Sequence, residues 1–181
     1  MTDSLPDIIS RAGNRLLLAR NSGEVLEAKQ IAEAALHYAR VTKAANETHA
    51  DCIRIITRAE MRMANEIDAD PKIAKQGQHG EDVLTLDNLG LDRRRISEWR
   101  EVRDAGEQVV EGALRRALSE GRTPTKAEIL QAAREIRDER QGDKKERRAE
   151  RERDLAAKQA ALPNKRYGVI YADPEWRFEV Y

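Results

Sequence analysis

Large rings are scarce in this 181-residue chain, which has one Phe, two Trp and four Tyr, an aromatic content of 4%. A core built on stacked aromatic side chains is excluded. The single cysteine, Cys52, excludes an internal disulfide framework and suits a reducing compartment. No apolar run approaches the roughly 18 residues needed to span a bilayer, and no basic-apolar-cleavage pattern opens the chain. A cytoplasmic protein without a membrane partner is therefore expected. An excess of one charge is missing too: Lys plus Arg and Asp plus Glu number 33 each. Attraction to nucleic acid then has to come from a local patch.

What is present in quantity is Ala, Glu, Arg and Leu, with 36% of residues charged, a composition that favours long helices. Ser4 and Asp7, with Pro6 between them, mark the start of a short helix. From Ser22 onward Val25, Ala28, Ala32, Ala35, Leu36 and Ala39 recur at helical spacing. The stretch 44–48 breaks the run, and Cys52, Ile55, Ile56, Ala59 and Met63 form a second stripe of the same period. Two amphipathic helices joined so briefly are expected to fold back as a helical hairpin, with the thiol of Cys52 in its core. His37, His49 and His79 have no His or Cys at ligand spacing, so no metal is expected. The expected organisation is a hairpin region over 1–78, a helix-turn-helix-like unit over 79–122, a long charged helix over 123–161, and an α/β segment from 162 to 181.

The first functional signal is "EDVLTLDNLGLDRRRISEWREVRDAG", residues 81–106. Leu84, Leu86 and Leu89 give a short helix an apolar side, Gly90 suits a tight turn, and Asp92 is placed to cap a second helix. That helix buries Ile96, Trp99 and Val102 and displays Arg93, Arg94, Ser97 and Arg100 on its other face, with Arg95 beside them. Two short helices at a Gly turn match a helix-turn-helix. Arginines opening its second helix can grip phosphates or fork onto guanine in the major groove, which makes duplex DNA the expected partner. A solvated arginine face on a helical scaffold is the other reading of the same residues.

Thr125 and Glu128 form a capping box after Pro124, and Ile129, Leu130, Ala133 and Ile136 give the following helix one apolar face. From Arg137 to Asp154 both charge signs interleave with nothing larger than Ala to bury, as in a solvated spacer helix held by i,i+4 pairs. Leu162-Pro163-Asn164 ends it.

The chain closes on "YGVIYADPEWRFEVY". Residues 167–172 read as a strand, and Asp173-Pro174-Glu175-Trp176 stands at its carboxyl end, where α/β sheets place ligands. A carboxylate there can accept from an exocyclic amine, the Pro174 carbonyl can accept a second hydrogen bond, and Trp176 can stack on an extruded base. The segment resembles the opening strand and Asp-Pro-Pro-Trp signature of adenine-N6 DNA methyltransferases, particularly those of phages and prophages. The helical hairpin, the "TLDNLGLDRRRISEW" unit and the charged helix resemble, more loosely, the N-terminal regions attached to such enzymes.

The resemblance implies that Asp173 and Pro174 hold the target amine, that Trp176 lines the adenine pocket, and that the complete family uses S-adenosylmethionine. Glu175 departs from the family's second Pro. No Gly-rich loop follows a strand within the 181 residues, so no cofactor is expected in this chain, and the tail is expected to be the start of a truncated catalytic domain. Expected, then, is the DNA-targeting or assembly portion of a methyltransferase, inactive alone, engaging DNA through Arg93–Arg100 and working as a homo-oligomer or beside a separate catalytic chain. A non-enzymatic oligomerising protein and a small DNA-binding regulator remain open on the same residues.

Overall fold

The structure, a computed structural model, describes residues 4–70 and 92–160. They form six helices: α1 (Leu5–Leu18), α2 (Ser22–Val41), α3 (Asn46–Ala69), α4 (Arg93–Ala105), α5 (Glu107–Ser119) and α6 (Lys126–Ala160). The expected mainly helical class holds. The strand expected over 167–172 and the first helix of the helix-turn-helix, around Leu84–Leu89, lie outside the described residues, as do Asp173, Pro174, Glu175 and Trp176. The described residues as far as Gln141 belong to one compact unit and those from Gly142 to a second.

Helix ends follow local chemistry. The Ser4 backbone N–H donates to Asp7 Oδ2 at 3.2 Å, the expected box at the start of α1. Hydrogen bonds from the Ser4 hydroxyl and N–H hold the Asp7 carboxyl below its ordinary range. Asn21 caps α2 by accepting from the Glu24 N–H at 3.0 Å, and Asp92 caps α4 by accepting from the Arg94 N–H at 2.9 Å. Gly106, at φ 98°, ends α4 and begins α5, a conformation costly for any residue with a Cβ. Thr125 and Glu128 form the expected box: the Thr125 N–H donates to Glu128 Oε2 at 2.9 Å, and the Glu128 N–H donates to Thr125 Oγ1 at 3.3 Å.

The hairpin of α2 and α3 is the most extensive helix pair, with α1 packed against it. The whole expected α2 stripe is buried, and so are Cys52, Ile56, Ala59 and Met63 of α3, while Ile55 is half-buried. Burial, and then the negative charge of Asp51, push the Cys52 thiol up to about 11, so it stays a protonated core group. His49 is buried with Nδ1 3.1 Å from the Ala45 carbonyl oxygen, and His37 is exposed.

Helix α5 is an addition to the expected elements. It buries Val110 and Leu114 in the core formed with α2 and α3, and Ala117 on the same stripe is buried too. Arg54 of α3 ties it down through Glu111, Nε to Oε1 2.7 Å. Ile129 and Ala133 of α6 join the same core. Beyond them α6 is exposed almost throughout, with Arg148 and Glu152 paired at 3.0 Å, as a solvated charged helix should be.

Arg62 performs a structural role at the end of α1. Its guanidinium donates to the Leu16 carbonyl at 3.1 Å and the Ala19 carbonyl at 2.7 Å, while Nε meets Glu66 Oε1 at 3.1 Å. One side chain of α3 thus satisfies carbonyls that the end of α1 leaves orphaned and places a cation there.

Candidate functional site

Helix α4 carries the sequence-derived DNA candidates. Ile96 is fully buried beside Ile67 of α3 and half-buried Trp99. With that face fixed inward, helical geometry turns Arg94 outward and sets Arg95 and Ser97 on the two flanks, while Arg93 shares the side of Ile96 at the end of the helix; all four are exposed. The Arg94 side chain is 86% exposed and meets Glu98 at 3.3 Å, one turn on. An exposed i,i+4 pair of this kind is worth only about 0.3–0.5 kcal/mol, so Arg94 is released at little cost to a phosphate. Arg95 has no carboxylate partner among the described residues.

Arg100 is placed differently from its expected display on the open face. It is half-buried, with Nε 2.9 Å from Asp68 Oδ1 of α3, and Arg103 holds the other oxygen of the same carboxylate. Burial works to raise the Asp68 carboxyl, but the hydrogen bonds and charges of Arg100 and Arg103 outweigh it and hold the group below the ordinary aspartate range. Asp68 therefore uses two α4 arginines to clamp α4 onto α3. Arg94 and Arg95, in the first turn of α4, are exposed and are not held by Asp68.

A second constellation lies inside the bundle. A cavity of about 310 Å³ opens among α2, α3, α4 and α6, with Lys29, Thr57, Glu60, Arg95, Trp99 and Ile129 in its wall. Lys29 and Glu60 are only 7% and 5% exposed. Burying charge requires close pairing. Lys29 Nζ meets Glu33 Oε1 at 2.6 Å and Glu60 Oε1 at 3.6 Å, and Lys126 Nζ of α6 meets Glu60 Oε1 at 2.6 Å. Lys29 Nζ also stands 5.8 Å from the centroid of the Trp99 ring. Thr57, 3% exposed, has a buried hydroxyl oxygen with no hydrogen-bond partner.

The sequence carries a trace of this network. Lys29 falls four residues after Val25 and three before Ala32, and Glu60 four after Ile56 and three before Met63. Each is a charge set inside an apolar stripe, which costs stability unless paired. Their spacing gives the burial but not the partners.

S-adenosylmethionine, implied by the resemblance of the closing segment, does not fit this cavity. Its ribose diol and sulfonium call for carboxylates free to accept or to counter charge. Glu33, Glu60 and Glu98 are each already paired with a Lys or an Arg. Among the described residues no group of three His, Cys, Asp or Glu is placed to hold a metal ion, and no helix is long and apolar enough to cross a membrane.

No protein-family model, no curated protein and no solved structure matches the chain.

Proposed function

We propose that this chain is the DNA-engaging helical portion of an adenine-N6 DNA methyltransferase, with the first turn of α4 as its contact with the duplex. The exposed Arg94 and Arg95 beside Ser97, on a helix anchored by Ile96 and by the Asp68 clamp, carry the reading. A rigid helix whose opening turn presents guanidiniums has the form of a recognition helix, with arginines for phosphate or guanine and a serine for either. The helix-turn-helix assignment supplies the partner helix from residues 84–89. The methyl-transfer part rests on the resemblance at 167–178, where Asp173 and Pro174 are assigned to the target amine and Trp176 to the adenine ring. No catalytic step is assigned to the described helices.

A helical assembly module without DNA affinity is the second reading, favoured by one observation. Arg100, Arg103 and Arg94 all have carboxylate partners within the fold, so much of the positive charge of α4 is already neutralised. Titrating a short duplex into the isotope-labelled chain separates the two. Amide shifts centred on residues 93–97 are expected; DNA that shifts resonances elsewhere, or none, overturns the α4 assignment.

A further inference from the structure

We propose that the cavity among α2, α3, α4 and α6 binds a small organic monoanion, a carboxylate carried on a flat apolar body. This goes beyond the DNA reading, with which it has Arg95 in common.

The chemistry follows from what the cavity walls have left over. The two ammonium groups, Lys29 and Lys126, pair with Glu33 and Glu60, and Glu98 pairs with Arg94. Those groups hold one another and offer a ligand little net charge. Arg95 is the lining charge with no carboxylate partner among the described residues. A guanidinium presents a planar fork of donors that matches a carboxylate in two parallel hydrogen bonds.

The remaining wall is apolar: the Trp99 ring, Val102, Ile129 and Leu130. A flat ring or short hydrocarbon fills such a space. Lys29 already approaches the Trp99 ring. Thr57 stands in the same wall, with its hydroxyl oxygen buried out of reach of the open space. The volume, about 310 Å³, stands at the small end of ligand sites and suits a single-ring acid.

Benzoate and benzamide test this on the full chain, read at the indole N–H resonance of Trp99, which a Trp99→Phe variant identifies. Saturable shifts with benzoate are expected, with benzamide binding about tenfold more weakly for want of the charge-assisted pair. Arg95→Gln, a change at an exposed position, should bring benzoate down to the level of benzamide. The proposal fails if benzoate does not move the Trp99 resonance, if benzamide binds equally well, or if Arg95→Gln has no effect.

Discussion

Lys126, in the first turn of α6, reaches across to a carboxylate buried in α3, its Nζ lying 2.6 Å from Glu60 Oε1. The pair fastens the N-terminal end of the long charged helix to the hairpin core. It also completes the neutralisation of Glu60, whose other cation, Lys29, stands farther away at 3.6 Å.

Lys126→Met should therefore destabilise the fold by about 1–3 kcal/mol, because it leaves a buried carboxylate with a single, longer pairing. Urea unfolding at neutral pH measures it. A Glu60→Gln background should shrink the cost of Lys126→Met, since the charge it answers is then gone. Equal costs in both backgrounds would show that the two residues do not interact.

Arg62→Lys should lower stability by about 1–2 kcal/mol despite conserving charge. One ammonium cannot reproduce a fork that serves the Leu16 and Ala19 carbonyls and Glu66 together. The loss should be seen first in faster amide exchange at the last turn of α1. Wild-type exchange there would contradict the capping role.

The clamp between α3 and α4 gives a dependence on pH. The Asp68 carboxyl is held below its ordinary range in the folded chain, so the stability it contributes is present above the unfolded value of about 4 and is lost as pH falls through the lower folded value. Asp68→Asn should cost stability at neutral pH and progressively less below about pH 4. A cost that stays constant into acid would mean that the charge of Asp68 is not what holds Arg100 and Arg103.

The helices were legible in the sequence wherever burial is periodic and ends are capped. The α2 stripe from Val25 to Ala39 and the Thr125–Glu128 box needed no tertiary knowledge, since each depends on neighbours within one helix. Arg100 shows where that reasoning stops. Four residues after Ile96, it falls by spacing on the buried side of α4, against the display expected for it; its partner, Asp68, lies 32 residues earlier in the chain and no spacing within α4 reveals it. The cavity was hidden for the same reason: Lys29, Thr57, Arg95 and Lys126 come from four helices, and only packing brings them to one wall. Helix α5 escaped because its short stripe, Val110, Leu114 and Ala117, is interrupted by arginines and by Gly112.

The open first turn of α4 is the central claim, and it is tested most directly by fluorescence anisotropy of a labelled DNA duplex at low and moderate salt. The full chain should bind with an affinity that falls as salt rises, each phosphate contact adding roughly one to the logarithmic salt slope. The Arg93→Ala/Arg94→Ala variant should bind more weakly and lose up to about two from that slope, with unchanged helix content by circular dichroism. Equal affinity and slope in the two proteins would contradict the account and leave α4 as part of a helical scaffold.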